Sequence, residues 1–218
     1  WESSANGTTW SDATAPPNPS LDLTITIRSP HEVNIPDDAT VDQVVVDEGG
    51  TLTLDNITKL TINNGTGVDL DINGTLHDNS TSTNTAIFNT SAKWRLGANG
   101  LFLKTNDSGS SIYRDNYEGG ISTIPATANW TVRDISITLP SVSGMTYPNL
   151  TLENNTGADI TMGFSGSSGF PTIKGNFDVG GAGAGNVRFD NLNTNATPCL
   201  IQGNLIVKSG SLLDNTDG

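Results

Sequence analysis

An all-β fold, and within that class a right-handed parallel β-helix (β-solenoid), is what this sequence predicts. Three observations predict it. Short segments alternate apolar and polar residues: Leu23-Thr-Ile-Thr-Ile27, Thr51-Leu-Thr-Leu54, Leu60-Thr-Ile62 and Ile135-Ser-Ile-Thr-Leu139. That is the period of a half-buried strand, and the branched Thr and Ile side chains favour extended backbone. No window carries a helical period, because Gly, Asn, Ser and Pro interrupt every stretch of helix length. Finally, segments recur. Leu60-Thr-Ile-Asn-Asn-Gly-Thr-Gly-Val-Asp-Leu70 aligns without a gap to Leu150-Thr-Leu-Glu-Asn-Asn-Thr-Gly-Ala-Asp-Ile160. Ile173-Lys-Gly-Asn-Phe-Asp-Val179 returns 28 residues later as Ile201-Gln-Gly-Asn-Leu-Ile-Val207, and Ile72-Asn-Gly-Thr-Leu76 is a weaker copy. Recurrence of this kind marks stacked repeats. The alternative is a β-sandwich whose similar strands recur by chance.

Taken in order, residues 1–22 read as an irregular entry or cap: Pro16-Pro17-Asn18-Pro19 cannot join a central strand, and Trp1 and Trp10 could fold back over the first turn. Residues 23–218 read as a single β-solenoid. Strand-like runs centre near Thr26, Asn34, Val45, Thr53, Thr61, Asp71 and Leu76. Between them lie Ser29-Pro30, Pro36-Asp-Asp38, Asp47-Glu-Gly-Gly50, Asn63-Asn-Gly65 and Asn73-Gly74, all turn formers. From about Ser80 to Pro148 the pattern loosens. Lys93-Trp-Arg-Leu, Leu101-Phe-Leu-Lys104 and Trp130-Thr-Val-Arg133 read as strands; Asn106-Asp-Ser-Gly-Ser-Ser111 and Asp115-Asn-Tyr-Glu-Gly-Gly120 read as exposed loops. A rung is expected to take about 20–28 residues, giving about seven to ten rungs. Gly and Asn are expected in left-handed conformations at the corners, with stacked Asn or Thr in ladders.

Composition excludes several functions. Of 218 residues, 29 are Thr, 24 Asn, 24 Gly and 20 Ser, about 44% together. The net charge of −13 excludes a basic nucleic-acid-binding surface. The longest purely aliphatic run is Val44-Val45-Val46, so no segment reads as a membrane span. One cysteine, Cys199, excludes an intrachain disulfide framework and a Cys-based zinc site. A chain that starts at Trp1 with no signal segment and stops directly after a strand-like run is expected to be a fragment.

A calcium-dependent lyase needs clustered carboxylates and a basic residue beside them. Asp37-Asp38, Asp42, Asp47-Glu48 and Asp69 with Asp71 are the candidates, and they read as solvated turn and strand faces. No carboxylate pair identifies itself as a glycosidase pair. His31 and His77 read as surface residues, and Cys199 as a small buried apolar group. Gly180-Gly-Ala-Gly-Ala-Gly185 reads as a flexible loop, with no helix after it to cradle phosphate. Trp94, Tyr113, Tyr117 and Trp130 either fill the middle of the core or form an exposed face on which sugar rings stack. The eleven Asn-x-Ser/Thr sequons, Asn64, Asn73, Asn129 and Asn154 among them, read as ladder and turn residues.

Four stretches carry a family likeness. They are Trp1 with Thr8-Thr-Trp-Ser11 and Pro16-Pro17; the series Val33-Asn-Ile35, Val44–Val46, Thr51-Leu-Thr-Leu54; Tyr113-Arg-Asp-Asn-Tyr-Glu-Gly-Gly120 followed by Ile124-Pro-Ala-Thr-Ala-Asn-Trp130; and Tyr147-Pro-Asn-Leu-Thr-Leu152 with Ile173-Lys-Gly-Asn-Phe177. In this order they resemble the β-helical repeat regions of large secreted proteins of the Bacteroidetes phylum, exported by the type IX secretion system. The chain departs from that pattern after Trp130, where Thr131-Val-Arg-Asp134 replaces a Gly-Ser turn, and it lacks the C-terminal sorting domain of such cargo.

The resemblance implies export to the cell surface and a large parent, and no reaction. The expected function is therefore a non-catalytic structural or adhesive stalk segment, extracellular or on the surface of a Gram-negative bacterium. Its expected partners are adjacent segments of the same large protein, secretion machinery or surface polysaccharide, with no nucleic acid, no membrane insertion and no cofactor. No catalytic or metal residues are assigned, and ligand-binding residues stay unassigned. The alternatives are a carbohydrate-binding or polysaccharide-processing module, and a secretion cargo whose function lies in other parts.

Overall fold

The computed structural model describes residues 2–3, 11–12, 24–55, 60–80, 86–88, 91–106, 116–140, 145–165, 171–191 and 199–214. Trp1, Trp10, the proline stretch 16–19, Tyr113 and most of the 106–111 loop lie outside the described residues. The chain is all-β. Glu2–Ser3 pairs antiparallel with Ser11–Asp12, and every other pairing between described strands is parallel. The one helical element among the described residues is a 3-10 turn, Ile121–Thr123.

Parallel neighbours need a long crossover, and here other strands supply it. The backbone of the molecule is an eight-stranded sheet built, in order, from Glu32–Ile35, Thr51–Asp55, Thr75–Asn79, Leu101–Lys104, Asn129–Arg133, Asn149–Glu153, Phe177–Gly180 and Leu205–Val207. Before seven of the eight visits the described chain adds a strand to a flanking sheet, four-stranded in the first half and a separate three-stranded one in the second. These strands are Thr24–Ile27, Gln43–Val46, Leu70–Ile72 and Trp94–Leu96, and later Thr146–Tyr147, Thr172–Ile173 and Leu200–Ile201. After seven of the eight visits the described chain adds a strand elsewhere: Ala39–Val41, Leu60–Ile62 and Ala86–Phe88 in one three-stranded sheet, and later Ile137–Pro140, Ile160–Ser165, Val187–Asn191 and Leu212–Asp214 in a separate four-stranded one. Each such circuit brings the chain back to the long sheet after an interval that runs from 19 residues, Glu32 to Thr51, to 28, Phe177 to Leu205. Ala39–Val41 was not expected as a strand. Only Asp42 separates it from Gln43–Val46, so the two read as one run after a proline turn.

Register sorts the long sheet into columns. Inward positions alternate with outward ones, as the buried Leu52 and Leu54 of Thr51–Asp55 show. One inward column runs Val33, Leu52, Leu76, Phe102, Trp130, Leu150, Phe177, Leu205. Trp94, Tyr117, Trp130, Tyr147, Phe164 and Phe189 make a continuous run of ring contacts through the middle, with centroids 4.8 Å apart for Trp94–Tyr117 and 5.3 Å for Trp130–Tyr147. The part of the 115–120 segment that is described is not an exposed loop throughout. Tyr117 bridges to Trp94 in parallel, is buried, and its hydroxyl donates to Leu96 O at 3.0 Å.

The two internal repeats have different structural meanings. Residues 173–179 and 201–207 lie directly over one another, Ile173 on Ile201 and Phe177 on Leu205. The longer repeat does not stack on itself. Leu60–Ile62 belongs to a three-stranded flanking sheet, whereas Asn149–Glu153 belongs to the long sheet. What the 11-residue pattern encodes is a corner, used at two different places in the circuit.

Candidate functional site

The polar residues that a function would use are found mostly holding one circuit to the next. At the first outward position of the long sheet Asn129, Asn149, Asn176 and Asn204 stack in successive strands. Asn149 Oδ1 accepts the Asn176 backbone N–H at 2.9 Å, and Asn176 Oδ1 accepts that of Asn204 at 3.0 Å. This is the ladder the sequence predicted, and it accounts for two of its sequons. A second ladder closes the sheet's other side. Asn79 Nδ2 donates to Asp55 Oδ1 at 2.8 Å, Thr105 Oγ1 donates to Asn79 Oδ1 at 3.0 Å, and Arg133 Nε donates to Glu153 Oε2 at 2.8 Å. Burial is the largest single influence on Glu153 and raises its pKa, but the hydrogen bonds from Arg133 and Asn155 and the charges of Arg133 and Lys208 together hold it below its usual carboxylate range.

The candidate carboxylates do not converge. Asp37 and Asp38 are exposed on their turn, Glu48 is exposed, and Asp42 is buried. Asp69 and Asp71, neighbours in sequence, have opposite fates. Asp69 is fully buried, its Oδ1 accepting the Gly65 N–H at 2.6 Å and its Oδ2 accepting the Lys93 N–H, one circuit later, at 2.7 Å. Asp159, its counterpart in the repeat, accepts the Asn186 N–H at 2.9 Å in the same way. The shared Asp is thus a corner acceptor for the next circuit. Asp71 faces outward and takes Arg95 Nε at 3.0 Å. Among the described residues no three His, Cys, Asp or Glu side chains are grouped to hold a metal ion. No described helix is long and apolar enough to cross a membrane.

One charged pair lies on the inward side. Asp78 and Lys104 occupy the column of Ile35, Leu54, Val132, Leu152 and Val179. Lys104 Nζ donates to Asp78 Oδ2 at 3.1 Å, the side chains are 4% and 0% exposed, and Asp78 Oδ1 takes the Ser80 N–H at 3.2 Å. Alternation carried the signal: Asp78 is in phase with Leu76, and Lys104 with Phe102.

His77, on the outward side of the same strand, is half-buried and 2.8 Å from Thr105 Oγ1. Burial, and then Arg133, push its pKa below 6.5, against the opposite pull of Asp78, Asp55 and Glu32. A folded pKa lowered in this way makes a contribution that is whole above pH 6.5 and lost as pH falls through 6.5 towards the folded value. Urea midpoints measured from pH 7.5 to 5 are expected to fall less in His77→Gln than in the parent. Parallel curves would sink this assignment. His31 is exposed. Cys199 is partly buried against the core, which pushes its thiol up to about 11 and leaves it unreactive at neutral pH.

The sugar-stacking face is corrected. Trp94, Tyr117 and Trp130 are 0%, 3% and 5% exposed and pack on one another in the core, so no ring face is offered to a ligand. Tyr113 lies outside the described residues. The Gly180–Gly185 stretch is also corrected: it is a corner pressed on the circuit below, not a flexible loop. Gly183 N–H donates to Asn154 O at 3.2 Å and Gly185 N–H to Thr156 O at 2.9 Å. A Cβ on Gly181, Gly183 or Gly185 would strike the backbone of residues 154–158.

Close approach, rather than left-handed backbone, explains many of the glycines. Gly50, Gly74 and Gly100 stand immediately before a strand of the long sheet, and Gly175 and Gly203 hold the same register position one residue further from theirs. None of them has positive φ; the described residues that do are Gly49, Gly67, Gly119, Gly120, Gly180, Gly210, Ser91 and Asp134. The expectation of left-handed Asn at corners is therefore not met among the described residues. At each of the five a Cβ would run into a carbonyl oxygen of an earlier circuit: Ile27 O, Asp47 O, Ile72 O, Ala126 O and Gly175 O respectively. His31, Ala128 and Pro148 fill the same position before the three remaining strands.

No family model matches the chain, and no curated protein or solved structure matches it.

Proposed function

We propose that the chain is a segment of a right-handed parallel β-helix that acts as a stiff, non-catalytic structural or adhesive stalk at the surface of a Gram-negative bacterium. The observation that carries this reading is the use made of polar side chains. Asp69, Asp159, Asn149, Asn176, Asp55 and Glu153 spend their acceptor capacity on groups one circuit away, which binds circuit to circuit. The fixed order in which the chain visits its parallel sheets supports a β-helix over a sandwich, whose sheets are antiparallel. The net charge of −13 keeps such rods apart in solution. Its partners on this reading are adjoining β-circuits.

Stacked repeats interact mainly with nearest neighbours. Pulling from both ends is therefore expected to peel the chain circuit by circuit, in steps of about 70–100 Å for 20–28 extended residues. A single rupture releasing the whole contour would overturn the β-helix. Release of new reducing or unsaturated ends from a panel of polysaccharides would overturn the non-catalytic part.

A further inference from the structure

We infer that Lys104 and Asp78 are the two halves of an intramolecular cross-link, an amide between Lys104 Nζ and Asp78 Cγ that ties two neighbouring circuits covalently. The inference rests on the parallel pairing of Thr75–Asn79 with Leu101–Lys104 and not on the stalk reading. Arg95 with Asp71, Arg133 with Glu153 and Lys104 with Asp78 are ion pairs between facing residues of neighbouring strands. The first two use a guanidinium, which stays protonated and is no amine nucleophile. Their arginine side chains are 49% and 38% exposed. The third sets an amine against a carboxyl group on the inward side, at 4% and 0% exposure. Its column is otherwise apolar, with Leu54 before the pair and Val132 after it. An ion pair so placed adds little stability over apolar residues of similar size, so its chemistry is the feature that distinguishes it.

The two carboxyl oxygens are differently placed. Oδ2 faces the amine at 3.1 Å, and Oδ1 accepts the Ser80 backbone N–H at 3.2 Å. A fixed N–H on Oδ1 stabilises the negative charge which that oxygen takes up when Cγ becomes tetrahedral. Oδ2 is then the leaving oxygen. Transfer of one proton from Nζ to Oδ2 turns the ion pair into its reactive forms, amine and carboxylic acid. The Nζ lone pair attacks Cγ and the C–N bond forms. A second proton passes from the nitrogen to Oδ2, and the C–Oδ2 bond breaks with its electron pair to release water. One ammonium and one carboxylate become one amide and one water, with no oxidant or activating group. Register supplies the proximity, since Asp78 and Lys104 are direct partners in the ladder. The product keeps Oδ1 as acceptor for Ser80 and leaves no charge in the column. The ion pair is the state of the newly folded chain, and the amide is what it becomes. The bond closes a loop between residues 26 apart, so a pull from both ends releases about 90 Å less contour.

Intact mass under denaturing conditions tests this on the full chain. The folded parent, held at neutral pH for a week, is expected to be lighter than its sequence by one water. Trypsin is expected to leave Lys104 uncut and to yield a branched peptide, residues 60–93 joined to residues 96–114. Lys104→Arg and Asp78→Ala chains are expected at their full sequence masses. So is the parent kept in urea throughout, where nothing holds the two side chains together; this control needs no variant to fold. A folded parent that stays at its full mass would overturn the cross-link. A loss of water that persists in Lys104→Arg would overturn it as well, in favour of a cyclic imide at an aspartyl residue.

Discussion

A Lys104→Met variant is expected to lose about 3–5 kcal/mol of stability in a urea titration, because it removes the ammonium that offsets the Asp78 carboxylate inside the core. Asp78 is 0% and Lys104 4% exposed at the side chain, so water cannot take the place of the missing partner. The double variant Asp78→Leu/Lys104→Met is expected to recover most of the loss. Its column is otherwise Leu54 on one side and Val132 on the other, so two more apolar residues continue it. A residual cost of about 1–3 kcal/mol remains for the Ser80 N–H, which loses its acceptor. Equal losses in the single and double variants would show that the pair is solvated. The pair also bears on register. A two-residue slip of Leu101–Lys104 keeps every side chain on its own face, but sets Asp78 against an apolar neighbour instead of Lys104. The double variant removes that penalty, and a second set of amide resonances from these strands is the expected sign of slippage.

Much of the fold is legible in the sequence, because Thr and Ile alternate plainly in segments such as Thr51–Asp55, and the Asn ladder follows from the Gly-Asn repeat. Other features were hidden for physical reasons. The repeat at residues 60 and 150 looks like one rung returning, but a linear pattern records a local corner and not the sheet on which it sits. Asp78 and Lys104 do not announce themselves as a pair, since a single strand does not say that an opposite charge stands 26 residues away in the neighbouring strand. The alternation put both inward, and a spacing of one circuit paired them. Trp94 and Trp130 fit either a filled core or an exposed face in the sequence, and their ring contacts with Tyr117, Tyr147 and each other place them in the core. Asp69 and Asp71 are alike in sequence, and only the position of the next circuit makes one a buried backbone acceptor and the other half of an outward ion pair.

The glycines before the long-sheet strands give the second large effect. Gly74→Ala is expected to cost about 1–3 kcal/mol or more, although it adds one methyl group and raises intrinsic rigidity. Its Cβ would press on Asp47 O and Gly50 O. Neither oxygen can move freely. Asp47 O accepts the Gly50 N–H at 2.8 Å, and Gly50 O accepts the Thr75 N–H at 2.9 Å, so displacement opens the turn at residues 47–50 and a bond that joins two circuits. Gly157→Ala is the matched control. A Cβ there meets nothing within 4 Å and its φ is not positive, so the change is expected to be neutral or to stabilise by about 0.4–1 kcal/mol through the unfolded chain. Urea midpoints at constant slope compare the two directly. Similar losses would mean that both glycines serve backbone freedom. A loss confined to Gly74 makes that position a measure of how closely two circuits approach ahead of the strand Thr75–Asn79.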